Sequence, residues 1–171
     1  ISINNKKMQG ADFLRTLNNL GGSFGIGRSV FSSDTIIGLK GRFVFEAPGI
    51  TILMSAHRAL EEAVLTDKQN LVKTQIGQEW VNLVYRGFYF EPLRENLEAF
   101  LLDSQKMVSG EVTLKLSPGS VDAVAVSSKN ILKSPEGEYA QSATWSESES
   151  KGFIKLIGQS TSTWASIHKK K

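Results

Sequence analysis

The chain has 171 residues, of which 40% are apolar and 22% charged, a composition that fits one folded domain with a real core and excludes the disordered and collagen-like classes. It has no cysteine, which excludes disulfides, thiolate catalysis and cysteine-ligated zinc. The net charge is +3, but Lys169, Lys170 and Lys171 supply as much by themselves, so the body is near neutral and offers no basic face for nucleic acid.

No apolar run approaches the ~20 residues of a spanning helix, and no basic segment followed by an apolar one opens the chain. The expectation is therefore a cytoplasmic protein without a membrane segment. "ISIN" alternates as a strand does, and a chain that starts inside a strand reads as a piece of something longer. "ADFLRTLNNLGG" spaces Phe13, Leu14, Leu17 and Leu20 as a helix, with Gly21-Gly22 as its stop. The glycines at 21, 22, 25 and 27 then run in the reverse order of a dinucleotide fingerprint and follow a helix. They read as a helix end running into a glycine loop, or as a loop whose backbone closely approaches a ligand or another chain.

"SVFSSDTIIGLKGRFVFE" reads as strand, turn, strand, with Gly38 and Gly41 at bends. Pro48 opens a helix with Ile52, Leu53, Ala56, Leu60 and Val64 along one stripe. "TDKQ" is a capping box, and the helix it starts places Ile76, Trp80, Leu83 and Val84 on one face. A third helix begins at Pro92, with Leu93, Leu97, Phe100, Leu101 and Val108 inward and Gly110 closing it. The period then changes to two. Val112, Leu114 and Leu116 alternate with Glu111, Thr113 and Lys115, turn at Pro118-Gly119, and return through Val121, Ala123 and Ala125. Residues 133–152 read as a polar surface excursion, and Phe153, Ile154, Ile157, Trp164 and Ile167 as a helical end interrupted by Gly158. Helices and strands are segregated, which predicts an α+β fold of antiparallel hairpins packed with about three to five helices.

The chemistry-bearing residues are sparse. His57 and His168 lack metal-ligand spacing, and no serine has a histidine base at hand; no catalytic residue and no metal site is assigned. His57 reads as a half-buried structural histidine. Glu61, Glu62, Asp67, Glu79, Glu95 and Glu98 read as solvated faces or caps. What stands out is the hairpin cluster of Arg28, Asp34, Thr35, Lys40, Arg42 and Glu46. It reads either as an ordinary solvated face or as an ion-binding wall, with Arg and Lys suited to a carboxylate or phosphate and Asp34 and Glu46 to an amino or urea nitrogen.

"GIGR", "DTIIGLKGRFVFEAPG", "AHRALE", "TDKQ", "LVYRGFYFEPLRENLEAF", "SQKMVSGEVTLKL" and "KGFIKLIG" follow one another in the order and spacing of the carboxy-terminal half of argininosuccinate synthases. The resemblance runs from Ile1 to about His168. It implies an ATP-dependent, AMP-forming ligase of arginine biosynthesis that joins citrulline to aspartate and works as a homotetramer with a carboxy-terminal arm. It also implies that ATP and magnesium are bound by an amino-terminal domain absent here, carrying a Ser-Gly-Gly-x-Asp pyrophosphate loop. "LGGSFG" is not that loop. The implied division is a substrate domain over residues 1–152, clipped at its start, and an oligomerisation arm over 153–171, with citrulline, aspartate and the chain's own ATP-binding domain as partners. The isolated chain is expected to be inactive.

The resemblance implies substrate contacts at Ser33, Asp34, Thr35, Lys40, Arg42 and Phe45, with Gly27 and Arg28 in the loop beside them. Three positions depart from the usual pattern. Where the family has an acidic residue, this chain has Ser33 with Asp34 next to it; where the family has a tyrosine, it has Phe45; and where the family has an aspartate two residues after the arginine of "GIGR", it has Val30. The expectation is that Asp34 supplies the missing carboxylate. The "GDTIIGIKGR"-like branch of the family looks closer than the commoner "ENRxxGxKSR" branch. Two other readings stay open: a non-catalytic oligomerisation module, and a related ligase for another ureido or amino-acid substrate.

Overall fold

The computed structural model describes residues 1–132 and 145–169. The chain divides into two compact units, Ile1–Leu132 and Lys133–Lys171. The first opens with a minimal hairpin, β1 (Ser2–Ile3) paired antiparallel with β2 (Lys6–Lys7). Asn4 and Asn5 make its turn at φ of 49° and 65°, a left-handed pair that asparagine tolerates through its short polar side chain.

Helix α1 (Gly10–Ser23) buries Phe13 and Leu17. It does not stop at Gly21-Gly22 but runs through both to Ser23. A Cβ on Gly21 would lie 2.7 Å from Ile52 Cδ1 and 2.9 Å from Pro48 Cβ. This glycine therefore serves the close packing of α1 on the next helix and does not end its own. That next helix, α2 (Pro48–Val64), buries Ile52, Leu60 and Val64 along the expected stripe, with Pro48 in its first turn.

Thr66 caps α3 (Asp67–Tyr85): its hydroxyl accepts from the Gln69 amide at 3.2 Å, and Gln69 Oε1 accepts from the Thr66 amide at 3.0 Å. Ile76, Trp80, Leu83 and Val84 share the half-buried face. In α4 (Pro92–Ser104) the inward face differs from the expected one. Leu97 and Leu101 are half-buried, Leu93 and Phe100 are exposed, and the buried residue is Arg94. Its guanidinium lies 4.6 Å over the Tyr89 ring and pairs with Glu95 and Glu98, so the charge is partnered while the stem packs as an apolar chain.

The last hairpin of this unit joins β5 (Glu111–Ser117) to β6 (Ser120–Ser127). Val112, Leu114 and Leu116 are half-buried against exposed Glu111, Thr113 and Lys115, as their period requires. On the return strand the expected inward series fails at Ala123 and Ala125, which are exposed. Leu114 pairs with Ala123 but Thr113 with Ala125, so Val124 is an extra residue and the parity flips, turning Val126 inward. The core is centred on Phe13, Leu17, Ile26 and Ile52, with Leu114, Leu116 and Val121 packed against it.

The second unit, described over its helical part, holds α5 (Glu147–Ile157) and α6 (Gln159–His168), separated at Gly158. The expected polar excursion is thus helical from Glu147 onward and lies outside the described residues over 133–144; Lys170 and Lys171 lie outside them too. Ser146 caps α5, and its amide and hydroxyl, both hydrogen-bonded to the Glu149 carboxylate, hold that carboxyl below its ordinary range. α5 crosses position 153, the expected start of the arm. Six helices and three antiparallel two-stranded sheets among the described residues make the fold α+β. No helix among them is long and apolar enough to cross a membrane.

Candidate functional site

The cluster singled out in the sequence lies on one hairpin, β3 (Arg28–Asp34) and β4 (Lys40–Glu46), paired antiparallel from Arg28 opposite Glu46 to Asp34 opposite Lys40. The turn is built from short-range chemistry. Thr35 N–H donates to the Leu39 carbonyl at 2.7 Å, Gly38 N–H donates to the Thr35 carbonyl at 2.8 Å, and the Leu39 amide donates to the Thr35 hydroxyl at 3.1 Å. Gly38 takes φ of 80°, the left-handed residue that a three-residue hairpin loop needs.

The register divides the candidate residues between two faces, because successive side chains in a strand point to opposite sides. One face carries Ser29, Phe31 and Ser33 opposite Phe45, Phe43 and Gly41. Its rings touch: Phe31 and Phe45 meet edge-on at 5.7 Å between centroids, and Phe43 lies 6.4 Å from Phe45. The other face carries Arg28, Val30, Ser32 and Asp34 opposite Glu46, Val44, Arg42 and Lys40. Arg28 pairs with Glu46 and Lys40 with Asp34, each at 2.8 Å. Arg42 has no ion-pair partner among the described residues.

Ser33 and Phe45 are therefore brought to one face, while Asp34, Lys40 and Arg42 are on the reverse. Asp34 does not share a surface with Phe45, and its carboxylate is engaged by Lys40. Thr35 is committed to the turn. All of these residues except half-buried Thr35 are exposed, so both faces are open to a ligand or to other protein.

The glycine loop before β3 approaches its own chain. Gly27, at φ of 77°, leaves no room for a Cβ, which would lie 2.7 Å from the Ala47 carbonyl and 2.8 Å from Pro48 Cα; its carbonyl accepts from the Ala47 amide at 3.0 Å. That backbone is filled by protein and cannot cradle a phosphate as a nucleotide loop does. The Gly27 loop thus does not fit the phosphates of ATP. No cluster of three or more metal-ligating side chains occurs among the described residues.

One buried polar group was missed from the sequence. Glu61, placed there among solvated acids, is buried, with its side chain 10% exposed. Its Oε1 accepts from Gln105 Nε2 at 2.8 Å and lies 2.6 Å from Lys73 Nζ and 3.0 Å from His57 Nε2. The His57–Glu61 spacing of four was visible in the sequence; the convergence of Lys73 and Gln105 from other elements was not. Lys73 balances the carboxylate's charge, and the cluster joins α2, α3 and the residue that follows α4.

The family model for the Arginosuccinate synthase C-terminal domain matches residues 1–164. The chain belongs to that family. An argininosuccinate synthase of Xanthomonas campestris is 50% identical over 169 residues, covering 99% of this chain and 43% of the relative. One from Xylella fastidiosa is 49% identical over 99% of this chain and 42% of the relative. One from Chlorobaculum parvum is 36% identical over 98% of this chain and 42% of the relative. The chain thus spans well under half the length of the curated relatives it matches. In this argininosuccinate synthase C-terminal domain, the hairpin register sets Ser33 and Phe45, two of the positions expected at the substrate, on a single face.

Proposed function

We propose that this chain is the substrate-binding and assembly domain of an argininosuccinate synthase, which condenses citrulline with aspartate as ATP is cleaved to AMP and pyrophosphate. The observation that carries the proposal is the match of the whole chain, in one run, to synthases at up to 50% identity. The hairpin supports it, since it offers an exposed wall with no nucleophile, base or phosphate loop of its own. ATP and magnesium are held by the portion of the relatives that this chain does not cover.

On this reading the Ser33–Phe45 face is the wall that meets the ureido amino acid, and the Asp34–Lys40 and Arg28–Glu46 pairs hold the hairpin rigid behind it. A wall made by one domain and reacting groups made by another is how binding energy is used to position a substrate. The test is a chimera in which this chain replaces the matching segment of the Xanthomonas synthase. Pyrophosphate release that depends on both citrulline and aspartate is expected from the chimera and none from this chain alone. A folded, ATP-binding chimera that releases no pyrophosphate with citrulline sinks the proposal and points to another substrate.

A further inference from the structure

Among the described residues the β3–β4 hairpin pairs with no other strand, so within them both of its outer edges present unpaired backbone donors and acceptors. A lone two-stranded hairpin is only marginally stable in water, and proteins cover or pair such edges. The order of charges along β4 says what fits this one. β4 begins with a cation, Lys40, and ends with an anion, Glu46, with Phe43 at its midpoint. Laid antiparallel against a copy of itself about Phe43, it sets Lys40 opposite the partner's Glu46 and Glu46 opposite the partner's Lys40.

We infer that β4 is a self-association edge, pairing antiparallel with β4 of a second copy of this chain about a two-fold axis through Phe43. The result is a four-stranded sheet. Across it, each charged row reads Asp34, Lys40, the partner's Glu46, the partner's Arg28, alternating in sign at every step. Each hairpin already makes one contact of each row, at 2.8 Å. On the other face Phe43 meets the partner's Phe43, and Phe45 lies opposite the bare backbone of the partner's Gly41, the aromatic-on-glycine pairing that sheets favour. The β3 edge, centred on Phe31, is also charge-matched, but it sets Ser29 against Ser33 and Val30 against Ser32. It gains one aromatic pair and little else.

The pairing uses the edge of the hairpin and leaves both faces free, so it goes beyond the substrate reading and does not rest on it. The interface is isologous, as a two-fold dimer requires.

The absence of cysteine gives a direct test. Directly opposed residues in an antiparallel pair have Cα atoms about 4.5–5.5 Å apart, inside the window of about 4.4–6.8 Å that a disulfide spans. Phe43→Cys in the full chain is expected to give a covalent dimer on mild oxidation, and Phe31→Cys, at the centre of the β3 edge, is not. The second arm is sedimentation over a concentration series. Lys40→Glu and Glu46→Lys each create two like-charge oppositions across the axis and are expected to weaken dimerisation about tenfold. An equimolar mixture of the two variants restores opposite charges at both rows and is expected to recover the association, which loss of fold in either variant cannot do. Capture at Phe43→Cys no greater than at Phe31→Cys, or a mixture as dissociated as the single variants, overturns the proposal.

Discussion

Phe45 and Asp34 are eleven residues apart in sequence and on opposite sides of one hairpin. On the proposed reading, in which Ser33 holds the acidic position of a citrulline site, that register decides which of them can complete it. A strand offers alternate residues to one surface, so a carboxylate moved by one position points away from it. Asp34 next to Ser33 looks like a near-miss substitute in the sequence, and the register turns it to the reverse face, where Lys40 pairs with it. The expected consequence is that Phe45→Tyr, made in the full synthase, tightens citrulline by about two- to tenfold, the worth of one phenol hydrogen bond of roughly 0.5–1.5 kcal/mol. Asp34→Asn is expected to leave citrulline affinity within about twofold, because it loosens only a solvent-exposed ion pair. Calorimetric titration of citrulline into both variants checks this. A silent Phe45→Tyr with a tenfold loss at Asp34→Asn would move the wall to the charged face.

Among the elements, the ones whose period is set by their own residues were legible in the sequence. The α2 stripe of Ile52, Leu60 and Val64, the Thr66 capping box and the β5 alternation all appear as read. What could not be read depends on neighbours distant in sequence. Gly21 looks like a helix stop, yet it is small because Pro48 and Ile52 pack on it. Val124 is an added residue only because β5 sets the register. Arg94 takes an inward position of α4 because Tyr89, Glu95 and Glu98 receive its charge. The hairpin cluster was legible as a group, and its division into two faces was not, because that needed the register of the turn.

Glu61 is the strongest case of such distant dependence. One carboxylate oxygen on α2 collects Lys73 from α3 and Gln105 from the end of α4, so three helices are held through it. Glu61→Ala removes the acceptor and leaves the Lys73 ammonium, whose side chain is 22% exposed, largely without a partner. A hydrogen bond to a charged group contributes about 1.5–3 kcal/mol, and that loss is the expected drop in unfolding free energy. Glu61→Gln keeps an acceptor and is expected to lose less. Urea denaturation of both variants measures it; an unchanged midpoint for Glu61→Ala would show that solvent replaces the carboxylate without cost.

At the scale of the whole molecule, the chain exposes more apolar surface than its small core explains. Phe153, Ile154, Ile157, Trp164 and Ile167 on α5 and α6 are all exposed, in addition to the aromatic face of β3–β4. Contiguous exposed apolar surface of this kind marks places where protein packs on protein. A closed tetramer of dihedral symmetry needs two different isologous interfaces, since one two-fold contact repeated on itself gives only a dimer. The β4 edge supplies one candidate and the α5–α6 helices the other. If both operate, removing the helices leaves the sheet contact intact. Light scattering of the full chain against a version ending at Trp145 is expected to show the mass per particle falling to about half, from four copies to two. Adding Lys40→Glu to the shortened version is then expected to drive it to the monomer at the same concentration. Equal masses for the full and shortened chains would remove α5 and α6 from the assembly. A shortened chain already monomeric at high concentration would count against the sheet contact and leave the helices as the sole interface.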